Sequence, residues 1–133
     1  VVAGVMRLED ALRLIAARGR LIAERCEAGI GSMVATFAKE ADVKKALQKV
    51  GAESSVSIAA VNGPKMVVVS GRSSDVDKVV AETGASSRPL NVSHGFHSPL
   101  MKPALESFRE EVKSVALSVP TVPFFSTVMG EEV

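Results

Sequence analysis

The chain's only two histidines, His94 and His97, lie three residues apart in the stretch from Arg88 to Pro103. A neutral imidazole near pH 7 is the usual general base for activating a hydroxyl nucleophile. His97 precedes Ser98 and Pro99, where the main chain must turn, and its neighbours Phe96 and Leu100 can wall a pocket. No Gly-x-Ser-x-Gly elbow occurs in the chain, so these residues offer a base without its nucleophile. Two histidines at i and i+3 also invite a metal reading. The lone Cys26 is far away in a helical pattern and no His-Glu-x-x-His occurs, which argues against it. Taken by itself, His94 reads as a hydrogen-bonded loop residue.

A second candidate is Arg18. Leu14 and Ile15 precede it, and Leu21 and Ile22 follow it, at the spacing of neighbours on a helix surface. Its guanidinium therefore rises from an apolar patch. Two readings stand side by side: a long side chain snorkelling at the edge of a core, or a charge held to bind a carboxylate in bidentate fashion. Cys26 has no elbow turn or basic neighbour aimed at it and reads as a buried, inert thiol.

Hydrophobic periodicity outlines the elements that must position these groups. From Leu8 to Glu27 the pattern is helical, with Leu8, Ala11, Leu12, Ile15, Gly19, Ile22, Ala23 and Cys26 on one stripe and Arg13, Arg20 and Glu24 opposite. Ser32 to Phe37 predicts a strand. Val43, Ala46, Leu47 and Val50 predict a helix whose lysines form a solvated face. Val56–Ala60 and Met66–Val69 predict two strands joined at Asn62-Gly63-Pro64. Ser73 to Asp77 offers a helix cap, followed by Val76, Val79 and Val80 on one face and Gly84 as the stop. Ser87–Val92 predicts a last strand. The order strand, helix, strand, strand, helix, strand is that of a split βαβ, ferredoxin-like unit. After the histidine loop, Pro103 suits a first helical turn, and Leu105, Phe108, Val112 and Val115 predict the buried side of that helix. Val122–Val128 reads as a further strand.

Composition bounds the possibilities. With 133 residues, 47% of them hydrophobic, the chain can bury one compact core. A net charge of +1, no Trp or Tyr and five Phe leave neither an electrostatic footprint nor a stacking platform for nucleic acid. One Cys excludes an intrachain disulfide and fits a reducing, cytoplasmic compartment. No apolar run approaches the roughly 20 residues of a membrane-spanning helix, and the first residues lack the basic flank of a secretory signal. Both ends predict the interior of a larger domain: the chain opens on apolar residues ahead of a helix and closes just after the Val122–Val128 run.

Four stretches, Val2–Arg20, Ala60–Pro64, Val67–Gly71 and Val92–Met101, together resemble the acyltransferase domain of type I polyketide synthases. They are more distantly similar to the malonyl-CoA:acyl carrier protein transacylases of fatty acid synthesis. The resemblance runs over nearly the whole chain with its motifs in order. It implies an α/β fold in which an α/β-hydrolase-like large subdomain, present here in part as residues 1–30 and 94–133, is interrupted by a ferredoxin-like βαββαβ small subdomain at residues 31–93. It also implies a nucleophilic serine in a Gly-His-Ser-x-Gly elbow about ten residues ahead of Val1.

Carried over by position, the resemblance makes His97 the catalytic base of a Ser–His ping-pong cycle and Arg18 the clamp for a malonyl carboxylate. Ile22 lines the same pocket. His94-Gly95-Phe96-His97 matches a motif that tracks extender choice, reading His-Ala-Phe-His in malonyl-selective domains and Tyr-Ala-Ser-His in methylmalonyl-selective ones. The bulk of Phe96 favours malonyl, whereas Gly95 departs from the usual Ala and loosens the backbone. Asn62 matches a family Asn that can meet the thioester arm, although its turn role explains it as well. The implied partners are malonyl-CoA, an acyl carrier protein bearing its own phosphopantetheine, and neighbouring domains such as a ketosynthase. No metal and no other cofactor is implied. The competing readings are a free-standing ferredoxin-like binding module and an acyltransferase with methylmalonyl or another extender. A free-standing module has no need for a long helix carrying a half-buried Arg ahead of the first strand.

Overall fold

Alternation and helical periodicity resolve into four helices and four strands in the computed structural model, which describes residues 1–132. In chain order these are α1 (Leu8–Arg25), β1 (Gly31–Thr36), α2 (Glu40–Val50), β2 (Val56–Gly63), β3 (Met66–Arg72), α3 (Ser73–Thr83), β4 (Ser87–Pro89) and α4 (Lys102–Lys113). A 3-10 turn at Pro99–Met101 leads into α4. The strands form one sheet in the order β2-β3-β1-β4, with every neighbouring pair antiparallel. The predicted strand-helix-strand-strand-helix-strand order is therefore present between Gly31 and Pro89.

Two hydrophobic clusters hold the molecule. In the first, α2 and α3 cover one face of the sheet, and Val43, Val67, Val69, Val76 and Val79 are fully buried between them. Each such side chain contributes about 1.5–3 kcal/mol on burial. In the second, Leu21, Ile22 and Cys26 of the α1 region meet Ala104 of α4, with Phe96, Met101 and Phe108 packed against them. Polar bonds flank this packing: Arg20 reaches Glu111 at 3.3 Å, and Arg13 donates to the Ser114 hydroxyl. At the start of α1, Arg7 Nε donates to the buried Asp10 carboxylate at 2.9 Å, which raises the Arg7 pKa further. At the start of α3, Asp75 accepts from the Ser55 hydroxyl at 2.8 Å and from Lys78 at 3.1 Å, and its pKa is lowered, first by the Ser55 bond.

Several boundaries and faces differ from expectation. The buried face of α1 is Asp10, Leu14, Ala17, Leu21 and Ile22, and of the predicted stripe only Ile22 and Cys26 are buried. Leu12 and Ile15 remain 58% and 70% exposed. This helix carries two apolar stripes, and α4 packs on only one of them. The β2–β3 turn is Pro64-Lys65, because β2 runs through Asn62 to Gly63, which pairs with Met66. The Ser73 hydroxyl donates to the Ile30 carbonyl at 3.2 Å and does not cap α3. Strand β4 stops at Pro89, shorter than expected, although the Leu90 N–H still donates to the Met33 carbonyl at 2.9 Å. On α4, Ala104 is buried and Leu105 is exposed, the reverse of the expectation for Leu105. The Val122–Val128 run makes a single bridge, Phe125 to Glu132. Pro120 and Pro123 lack N–H donors and among the described residues no neighbouring strand lies alongside, so that run stays irregular.

Candidate active site

The loop between β4 and α4 crosses the end of the sheet at a point built from glycines. A Cβ on Gly31 would lie 2.7 Å from Leu100 Cδ1 and 2.8 Å from the Gly95 nitrogen. A Cβ on Gly95 would lie 3.1 Å from the Gly71 carbonyl oxygen. Gly95 is thus a close-packed contact, which corrects the expectation that it loosens the loop. Two residues later the chain takes a left-handed turn at His97, with φ 59°, the only non-glycine positive φ among the described residues.

The side chains around that turn divide cleanly. His94 is buried, its Nε2 lies 3.2 Å from the Cys26 carbonyl oxygen, and its Nδ1 lies 2.9 Å from the Ser93 hydroxyl. A carbonyl only accepts, so Nε2 carries a proton and donates it there. Both nitrogens are committed, Nε2 tying the loop to the end of α1 and Nδ1 meeting the adjacent Ser93 within the loop. Phe96 lies tilted against the same ring, centroids 5.6 Å apart, and packs into the α1–α4 cluster. Ser98 is buried as well, donating to the Gly95 carbonyl at 2.6 Å and accepting from the Leu100 N–H at 3.3 Å. His97 alone turns outward, and among the described residues none of the loop's side-chain hydrogen bonds involves it.

His97 faces a cavity of about 310 Å³. Arg18, Leu21 and Ile22 supply one wall from α1, while Met101, Ala104, Leu105 and Phe108 supply the other from the turn and α4. Arg18 is exposed and not half-buried as its apolar neighbours predict. Like Arg13, Arg25, Arg72 and Arg88 it stands in no ion pair among the described residues, whereas Arg7, Arg20 and Arg109 each meet a carboxylate. The arrangement sets a guanidinium and an imidazole on a shared concavity whose other lining residues, apart from Ser98, are apolar. Such a site suits an anionic group held beside a reacting centre.

Of the sequence candidates, the fold brings Arg18, Ile22 and His97 together. His94 and Phe96 do not line the cavity; they stand behind it and brace its wall. Asn62 is not part of it. Val56 of β2 pairs with Gly71, beside the histidine loop, whereas Asn62 lies near the opposite end of that strand, roughly 20 Å away by strand rise. It is neither a turn residue nor a neighbour of His97. The α4 wall was missed, although Met101, Ala104, Leu105 and Phe108 follow an i, i+3, i+4, i+7 spacing that a stripe begun at Met101 would have revealed. Among the described residues no three His, Cys, Asp or Glu side chains converge as a metal site would require, and no helix is long and apolar enough to cross a membrane.

Comparison with known proteins agrees along the whole chain. The family described as "Acyl transferase domain" matches residues 1–133. Polyketide synthase GfsB of Streptomyces halstedii is 48% identical over 132 residues, covering 97% of this chain and 2% of that protein. The crystal structure of the acyltransferase domain from the second module of the salinomycin polyketide synthase superposes with TM-score 0.90 at 44% identity, covering 99% of this chain and 31% of that one. The malonyl CoA-acyl carrier protein transacylase of Clostridium perfringens superposes with TM-score 0.88 at 28% identity, covering 98% of this chain and 43% of that one. The chain spans less than half the length of each of these relatives.

Proposed function

Because this chain belongs to the acyl transferase domain family along its whole length, we propose that it takes part in moving a malonyl unit from CoA to the phosphopantetheine thiol of an acyl carrier protein. Residues 1–30 and 94–133 are then part of a hydrolase-like subdomain, and residues 31–93 are its ferredoxin-like insertion. The observation that carries this reading is the Arg18 guanidinium, in no ion pair among the described residues, on the same mainly apolar cavity as His97. That pairing also weighs against a free-standing binding module, which has no use for α1 in this position.

In this scheme His97 removes the proton from a serine hydroxyl supplied from outside residues 1–133. The serine oxygen bonds to the thioester carbonyl carbon, the C–S bond breaks, and His97 returns the proton to the CoA thiolate. In the second half-reaction His97 takes the proton of the phosphopantetheine thiol, whose sulfur displaces the serine oxygen, and the serine is reprotonated. Ser98 is an unsuitable nucleophile, since its proton is already given to Gly95. Arg18 holds the free carboxylate of the malonyl group. An acyl group without that charge leaves the guanidinium unanswered, which is the basis of selection for dicarboxylic acyl chains. Phe96 supports malonyl over branched extenders by backing the wall and not by forming it. A single methyl is discriminated by only about 1–3 kcal/mol in any such pocket.

The test is Arg18→Ala in the acyltransferase domain at its full natural length. With malonyl-CoA, kcat/KM is expected to fall about 100-fold, the scale of a lost bidentate charged contact, while transfer from acetyl-CoA rises. An unchanged malonyl-to-acetyl ratio defeats the clamp.

A further inference from the structure

We propose that Ser98 is a positioning residue for His97, holding the base in the left-handed backbone conformation that turns its imidazole into the cavity; this rests on the assignment of His97 as the base. A β-carbon-bearing residue enters that region at a cost, and it persists there only when its surroundings over-determine it. Ser98 supplies the constraint from both sides. Its hydroxyl donates to the Gly95 carbonyl at 2.6 Å, spanning back across Phe96 and His97, and accepts from the Leu100 N–H at 3.3 Å, spanning forward. Its own carbonyl accepts from the Met101 N–H at 3.0 Å, which starts the 3-10 turn. The two anchoring points are fixed in turn against the sheet, since Gly95 and Leu100 both crowd Gly31 and Gly95 also abuts Gly71.

Ser98 is 8% exposed, so water does not readily replace its hydroxyl. Without that hydroxyl, the buried Gly95 carbonyl loses its donor and the segment is free to relax to negative φ. Because φ sets the direction of the Cα–Cβ bond, such relaxation swings the imidazole away from the cavity without altering the carboxylate clamp on α1. The expected signature is therefore a loss in kcat and not in KM.

The experiment compares Ser98→Ala, Ser98→Thr and His97→Ala in the acyltransferase domain at full natural length, with rates expressed per folded molecule from circular dichroism. Ser98→Ala is expected to lower kcat for malonyl transfer about 10- to 100-fold, the cost of a small misplacement of a reacting group, with KM for malonyl-CoA essentially unchanged. Ser98→Thr, which keeps the hydroxyl, is expected to restore most of the rate. Wild-type kcat in folded Ser98→Ala, or an equal loss in Ser98→Thr, overturns the proposal. Should Ser98→Ala fail to fold, Ser98→Cys carries the test. Its weak S–H donor predicts an intermediate kcat, and a wild-type kcat there overturns the proposal. His97→Ala separates the two claims: retained transfer there defeats the base assignment itself, whatever the Ser98 variants do.

Discussion

His94 and His97 share one loop but differ in what their nitrogens meet. The first donates to the Cys26 carbonyl and faces the Ser93 hydroxyl, whereas no side-chain hydrogen bond of the loop involves the second among the described residues. Residue type and spacing could nominate both, because an imidazole suits either task; only the partners distinguish a brace from a base. His94→Ala is accordingly expected to cost about 1–3 kcal/mol in urea unfolding, as the buried Cys26 carbonyl and Ser93 hydroxyl lose their partner. Its rate per folded molecule and its preference for malonyl over methylmalonyl should stay close to wild type. A large change in that preference with normal stability would return His94 to the selectivity wall. Arg18 is legible as a candidate from its apolar neighbours at helical spacing, although the structure leaves it and Ile15 exposed. The lack of a carboxylate partner for Arg18 is not legible there, because ion pairing depends on which helix comes to lie alongside.

Among the elements, the sheet with α2 and α3 followed closely from pattern. Strands of period two and helices of period 3.6 there each had a single apolar face to bury. On α1 the same reasoning chose the wrong stripe, since this helix offers two and periodicity does not say which one receives α4. The local cap of α3 was also misassigned, with Ser73 bonded to Ile30 and the ordering of the helix start left to Asp75. That carboxylate links α3 to Ser55 just ahead of β2, and its lowered pKa makes the link pH-dependent. The folded value lies below the unfolded one of about 3.9. Asp75 therefore stabilises fully above that unfolded value, and the contribution is lost as pH falls through the folded value. Ser55→Ala should raise the Asp75 pKa in an NMR titration. It should also be less stable than wild type at pH 7, with the difference narrowing near pH 3. A difference that persists undiminished at pH 3 would assign the effect to lost packing of Ser55.

Across the whole molecule, the sheet unit and the α1–α4 pair meet where the histidine loop crosses Gly31 and Gly71. This seam transmits position from a rigid sheet to a catalytic candidate. The sheet's own close approach at Gly71, where a Cβ would lie 2.2 Å from the Ser55 carbonyl oxygen, shows how little room this end affords. Gly31→Ala puts a methyl against the Gly95 backbone at 2.8 Å and should displace the loop. Acyl transfer is expected to fall about 100-fold, with the far-UV circular dichroism retained. Gly95→Ala meets its nearest atoms at 3.1 and 3.2 Å, one of them a movable Leu100 methyl, and should be much milder. If the two variants behave alike, the seam does not position the loop.

Sequence by itself determined the kind and order of the elements from α1 to α4, the family, and the candidacy of Arg18 and His97, because periodicity, turn chemistry and motif are local properties of the chain. Tertiary structure alone decided which stripe of α1 is buried and that Asn62 lies at the far end of β2. It also decided that Phe96 and His94 brace the cavity from behind, and that an imidazole and a guanidinium share it. Those outcomes depend on contacts between residues distant in the chain, such as Cys26 with His94 and Gly31 with Gly95, and no local pattern encodes which surfaces will meet.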